Sequence, residues 1–122
     1  MTTDQHEFLA YLHKWVDELP ALNGEQLFAQ AHQTAIISVD VINGFCKFGV
    51  LASPRVAAII PPIVELFRKA WHTGCRNILL TQDTHEPDAV EFGAFPPHCV
   101  RGTDEAQTVD EIKALPFFDQ ID

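Results

Sequence analysis

The sequence predicts an α/β fold built on a parallel sheet. Three observations carry that reading. Two short apolar runs, 34–41 (TAIISVDV) and 76–82 (RNILLTQ), are rich in strand-forming residues and show no clear polar face. Strands buried on both sides of a parallel sheet read this way. A helical segment lies between the runs, and a crossover of that length makes a parallel, right-handed βαβ unit. An aspartate closes each run, Asp40 and Asp83, at the sheet rim where ligands of such folds bind.

The elements follow in chain order. Residues 4–19 form an amphipathic helix, with Phe8, Leu12, Trp15, Val16 and Leu19 at helical spacing and Asp4 or Thr3 as cap. Pro20 ends it. His6 and His13 on that helix sit too far apart for an i, i+4 ligand pair and read as solvated. Asn23 caps a second short helix over 24–31 that carries Leu27 and Phe28. After the first strand, Asn43-Gly44 signals a turn. Ser53-Pro54 starts a helix with a capping hydroxyl and proline at its first position. Pro61-Pro62 removes two N–H donors and predicts a break. Ile63, Leu66, Phe67 and Ala70 form the stripe of the next helix, which Gly74 stops.

The second strand puts Ile78, Leu79 and Leu80 in the core. A helix over 104–115 turns Val109, Ile112 and Leu115 inward, and Phe117-Phe118 enter a third strand. The chain thus divides into an N-terminal helical extension, 1–33, and the first part of a larger α/β domain, 34–122.

Composition narrows the function classes. A net charge of −9 argues against a nucleic-acid backbone or an anionic membrane as partner. The 3 cysteines, Cys46, Cys75 and Cys99, are widely spaced and form no C-x-x-C. An odd, scattered set reads as reduced structural thiols rather than a disulfide framework. The N-terminus carries Asp4, His6 and Glu7 where a secretory leader would be basic and then apolar. No apolar run is long enough to span a bilayer. The expectation is a cytoplasmic protein.

The chemistry concentrates between Thr81 and Thr103. This stretch opens on Asp83-x-His85, passes through Glu91 and closes on Pro96-Pro97-His98. Residues two apart on extended backbone point to one side, so Asp83 and His85 face together. His98 joins them only if the loop folds back, and Glu91 offers a further carboxylate. Mixed imidazole and carboxylate ligation suits zinc or another first-row divalent metal. The competing reading is a polar surface loop with incidental histidines. Asp40 belongs to the same rim, with a turn-capping role as its alternative. Cys99 follows His98 directly, so on extended backbone it faces away from the metal and reads as buried packing.

At this point the residues carry a resemblance. S-V-D-V-I-N-G-F at 38–45, T-Q-D-T-H at 81–85 and F-P-P-H-C-V-R-G-T at 95–103 resemble the isochorismatase-like cysteine hydrolases, and within them the nicotinamidases. The likeness covers residues 34–122. It implies a three-layer αβα fold around a parallel sheet, here represented by its N-terminal part. It implies an Asp–Lys–Cys triad beside a divalent metal, with zinc the ion expected. Asp40 matches the catalytic aspartate, Asp83, His85 and His98 the metal ligands, and Glu91 a carboxylate that joins them in some members. Phe45 and Phe95 match aromatic residues of the substrate-ring pocket.

The family's lysine and cysteine lie further along the chain, and neither motif is found before Asp122. Lys113 lacks the lysine's flanking residues, and no cysteine here sits in a strand-to-helix elbow. The implied activity is hydrolysis of nicotinamide or a related small amide through an acyl-enzyme, in a protein of which this chain holds one triad member. The alternative is a non-catalytic metal-binding or interaction fragment that associates through its open sheet edge, for instance as a homo-oligomer.

Overall fold

The computed structural model describes residues 3–122. Helix α1 spans Thr3–Asp17. Thr3 and Asp4 lie inside it, so neither is the cap, and the position before them falls outside the described residues. Phe8, Tyr11, Trp15, Val16 and Leu19 stay exposed, so the stripe forms without being covered by the described residues. His6 and His13 are exposed as well.

Helix α2 is Gly24–Phe28, shorter than the 24–31 expected. Asn23 caps it, its side chain accepting from the N–H groups of Glu25 and Gln26. The helix stops early because the Thr34 hydroxyl donates to the carbonyls of Leu27 and Gln30. Ala31–Gln33 becomes a separate 3-10 turn.

Strand β1 (Ala35–Val39) pairs in parallel with β2 (Asn77–Thr81), Ala35 opposite Asn77 and Val39 opposite Thr81. The crossover holds α3 (Asn43–Cys46), α4 (Pro54–Ala57) and α5 (Ile60–His72). Ser53 caps α4, accepting from the Val56 N–H at 3.2 Å. The break falls at Ala58 and Ile59. Pro61 and Pro62 then occupy the first turn of α5, where a missing N–H costs nothing. Gly74, at φ 96, ends α5. Its N–H donates to Trp71 O, and Cys75 N–H reaches back to Ala70 O, which satisfies the last carbonyls.

The core lies on one face of the sheet. Ile60, Val64 and Phe67 of α5 pack with Ile78, Val109, Ile112, Leu115 and Phe117. Trp71 stacks on Phe117 with ring centroids 4.3 Å apart, and the Arg76 guanidinium lies 4.1 Å from the Trp71 ring. Ile36, Ile78 and Leu80 face this core. Ile37 and Val39 point the other way and are 61% and 62% exposed. The strands are therefore not buried on both sides. No described element packs on the outer face, so residues 3–122 build two of the three expected layers.

Two further expectations change. The helix over 104–115 is split into a 3-10 turn, Asp104–Ala106, and a short helix α6, Asp110–Lys113. The segment between them is held extended against the end of β1. Asn43 N–H donates to Gln107 O, Val109 N–H donates to Val41 O, and Ile42 bridges Thr108 in antiparallel fashion. The Gln82 amide donates to the Thr108 hydroxyl. Tertiary hydrogen bonding thus overrides the helical pattern, although Val109, Ile112 and Leu115 still turn inward. Phe118–Gln120 is a 3-10 turn rather than strand. Pairing to the free edge of β2 begins only at Asp122, which accepts from Leu80 N–H and donates to Ile78 O.

Among the described residues, no helix is long and apolar enough to cross a membrane. The packing makes a direct prediction. Phe67 is 1% exposed and Leu66, beside it, is 40% exposed. Phe67→Ala lowers unfolding stability by about 3–5 kcal/mol, whereas Leu66→Ala costs about 1 kcal/mol or less. Urea unfolding midpoints at constant slope measure the difference.

Candidate metal centre

The parallel register places Asp40 and Asp83 beyond the carboxyl ends of neighbouring strands. Asp40 extends the ladder by donating its N–H to Thr81 O at 2.9 Å. It then turns sharply, with φ 57, a left-handed conformation that Asp tolerates better than most residues. The turn sends Val41 and Ile42 down toward the 107–109 segment and leaves the half-buried Asp40 carboxylate at the rim.

The loop after Asp83 closes on itself. His85 N–H donates to Cys99 O at 3.0 Å, and Arg101 N–H donates to His85 O at 2.8 Å, a parallel bridge between His85 and Val100. That bridge brings His98 back to His85. One ligand atom from each of Asp83, His85 and His98 lies within 4.8 Å of the others. Asp83 Oδ1 is 2.8 Å from His85 Nε2, and Asp83 Oδ2 is 3.5 Å from His98 Nε2. Glu91 sits on a 3-10 turn, Val90–Gly93. Its Oε1 reaches His85 Nε2 at 3.7 Å and His98 Nε2 at 3.4 Å, outside the tight triplet but within reach of both rings.

The donor set fits a divalent cation. His98 Nδ1 lies 2.8 Å from Pro96 O. A carbonyl only accepts, so Nδ1 carries the proton and Nε2 presents its lone pair to the cluster, the usual arrangement of a ligating histidine. His85 Nε2 is buried with no hydrogen-bond partner, because the close Asp83 oxygen lies outside hydrogen-bonding geometry. A buried orphan nitrogen is costly unless something else meets it. Among the described residues, the two imidazoles are the only basic partners of Asp83 and Glu91. Arg101 is turned outward to Glu86 at 2.6 Å.

The other site residues fall around this cluster. Phe45 sits with its ring centroid 6.3 Å from that of His98. Phe95 is 55% exposed and, among the described residues, touches neither imidazole ring. Phe92 does touch them, edge-on to both His85 and His98 at 5.4 and 5.7 Å. Nothing in the spacing of the motif singles out Phe92; only its place beside Glu91 hints at it. Lys113 pairs with Asp110 on α6, away from the site.

Cys99 is fully buried, but not by strand alternation. Its φ of 45 is left-handed rather than extended, and its thiol packs against Gly44. A Cβ on Gly44 would lie 2.7 Å from Cys99 Sγ, so only glycine allows the approach. Burial, and then the carboxylates of Asp83, Glu105 and Asp40, push this thiol up to about 11. Burial also raises Cys46. Cys75 is buried and donates to Thr34 O. Neither Cys46 nor Cys99 is a poised thiolate.

The Asp83–His85–His98 cluster thus lies beyond the carboxyl ends of parallel strands, where open α/β sheets bind their ligands. The family model for the isochorismatase domain matches residues 34–121, and the chain belongs to that family. It is 35% identical over 85 residues to nicotinamidase 1 of Arabidopsis thaliana, covering 66% of this chain and 34% of that protein. It is 33% identical over 98 residues to the nicotinamidase of Acinetobacter baylyi, covering 64% of this chain and 44% of that protein. The chain therefore spans less than half the length of these relatives. Among solved structures, N-carbamoylsarcosine amidase from Thermoplasma acidophilum aligns with a TM-score of 0.56 at 27% identity, over 63% of this chain and 43% of that one. The yeast nicotinamidase bound to the inhibitor nicotinaldehyde aligns with a TM-score of 0.62 at 24% identity, over 71% and 53%, and so shares the fold.

The Cys99 environment sets a pH dependence. Burial and the neighbouring carboxylates raise the folded thiol from the ordinary 9.0 to about 11. Its stabilising contribution is complete below pH 9 and is lost as pH rises through about 11, because the unfolded chain releases the proton first. Unfolding stability therefore falls across that window, and the slope is shallower in Cys99→Ala. Equal slopes in the two proteins would contradict this placement of the thiol.

Proposed function

We propose that this chain carries the aspartate-and-metal half of a metal-dependent amidohydrolase acting on nicotinamide or a closely related small amide. The observation that carries the reading is the convergence of Asp83, His85 and His98 beside Asp40 on one sheet rim. The named nicotinamidase relatives support the substrate class. In this reading residues 1–33 are an N-terminal extension and 34–122 the first part of the hydrolase domain. Buried, unpaired cysteines support a reducing compartment, the cytoplasm.

The protein's groups divide the work by position. Asp83, His85 and His98 would hold a divalent ion, for which this donor set suits zinc, and Glu91 stands beside them. A divalent ion there supplies Lewis acidity and a bound water of lowered pKa. Asp40 takes the proton of an attacking thiol as sulfur bonds to the amide carbon. It returns that proton to the nitrogen as the C–N bond breaks and ammonia leaves. Phe45 and Phe95 flank the ring of the amide. Water then cleaves the thioester to the acid.

The thiol and the lysine of the triad are not assigned to residues 1–122. Cys99 is buried and protonated, and Lys113 is engaged on α6. A second reading, a non-catalytic metal-binding or interaction fragment, is favoured by the exposed Ile37 and Val39 on the sheet.

The readings are separated by one pair of assays. The 122-residue chain binds zinc in calorimetry but releases no ammonia from nicotinamide. A chain continued through a lysine-bearing strand and a strand–cysteine–helix elbow is active, loses about 10²–10⁴-fold on Asp40→Asn, and keeps its turnover on Cys99→Ala. Robust ammonia release by the short chain, abolished by Cys99→Ala, would put the nucleophile at Cys99 instead. An inactive continued chain that still binds zinc would favour the fragment reading.

A further inference from the structure

The backbone of Cys99 joins the two halves of the metal loop, and its conformation is held from both sides. Its C=O accepts from His85 N–H at 3.0 Å. Its N–H donates to Glu105 Oε2, also at 3.0 Å. Between these two bonds the residue adopts φ 45, which costs a non-glycine residue about 1 kcal/mol or more and persists only where the surroundings impose it. The Cys99 N–H lies in the peptide plane shared with His98, so holding it bears on where the His98 imidazole stands.

Glu105 is built into this position. A Cβ on Gly44 would lie 3.2 Å from Glu105 Cβ and from Glu105 O, and a Cβ on Gly49 would lie 2.6 Å from Glu105 Oε1. Two glycines therefore leave a slot that the glutamate side chain fills. Gly49 has φ 108, a conformation that suits glycine. The Asn43 side chain donates to Asp104 O at 3.0 Å and fixes the turn that carries Glu105. Among the described residues, no ion pair involves Glu105, although the residue is half-buried and, like Asp83 and Asp40, acts on the Cys99 thiol. A carboxylate kept there without a cation is explained by the one donor it accepts from.

We propose that Glu105 is a positioning residue of the metal centre: its carboxylate pins the Cys99 N–H and thereby fixes His98 Nε2 in register with His85 and Asp83. It touches no metal and no substrate. The inference rests on the metal reading of the Asp83–His85–His98 cluster.

The test is zinc affinity by competition with a chelating dye, together with amide hydrogen exchange at Cys99. Glu105→Ala weakens zinc binding about 10–100-fold, the usual effect of removing a group that orients a ligand, and speeds exchange of the Cys99 N–H. Glu105→Gln keeps an oxygen acceptor of the same reach and stays within about 3-fold of the native affinity. Glu105→Asp keeps the charge but shortens the arm, so it behaves like the alanine variant and serves if that variant folds poorly. Native affinity in folded Glu105→Ala or Glu105→Asp overturns the inference while leaving the metal site intact. A Glu105→Gln protein as weak as Glu105→Ala also overturns it, since charge rather than the hydrogen bond would then matter. Absence of zinc binding by the native chain overturns the metal reading itself and this inference with it.

Discussion

The pair of backbone hydrogen bonds that clips His85 between Cys99 and Arg101 is the constraint on which the site depends. Without it, His98 lies thirteen positions along a flexible loop from His85, and nothing brings the two rings together. With it, the rings meet at a centroid distance of 4.9 Å, and Asp83 falls between their Nε2 atoms. The clip works because the first half of the loop leaves β2 as extended backbone. The second half can then add to it as a short parallel strand would. Proline at 96 and 97 stiffens the returning limb, and Pro96 supplies the carbonyl that orients His98.

The rest of the fold serves to hold that loop end steady. The crossover helix α5 buries Phe67 and Val64 against the sheet and fixes β1 beside β2. The 107–109 segment straps across the end of β1 and ties Thr108 to Gln82, one residue before Asp83. The strap, the strand ends and the loop are therefore linked by hydrogen bonds. Negative charge gathers there, from Asp40, Asp83, Glu91 and Glu105, with no lysine or arginine paired to Asp83 or Glu91 among the described residues. A divalent cation held by Asp83, His85 and His98 would offset that charge.

Much of this was legible in the residues. The parallel pairing followed from two apolar runs and the crossover between them, and the caps at Asn23, Ser53 and Gly74 did what their chemistry dictates. Elements went astray where tertiary contacts outweighed local pattern. The periodic apolar residues from Val109 to Leu115 suggested one helix, but backbone bonds to Val41 and Asn43 pulled 107–109 into an extended strap. The strands were expected to be buried on both faces, yet Ile37 and Val39 are open, because a strand's sequence records the layers of a whole domain and not those present in one stretch of it. At the site, Asp-x-His and Pro-Pro-His marked the residues that converge. Glu105 carried no sequence signal, since it acts through a backbone N–H, and Phe92, which acts through an aromatic edge, only its place beside Glu91. Cys99 was rightly read as buried, though a left-handed turn and the close approach of Gly44 bury it, not the alternation of a strand.

The central claim is that Asp83, His85 and His98 form one metal centre and that Cys99 stands outside it. Cobalt(II) substitution followed by X-ray absorption at the cobalt edge tests both halves at once. The account predicts a first shell of nitrogen and oxygen at about 2.0–2.2 Å, with the outer-shell scattering of two imidazoles and no sulfur. The single change to one imidazole is predicted for His98→Ala. A sulfur shell at about 2.3 Å, or an imidazole count unaltered by His98→Ala, would contradict it.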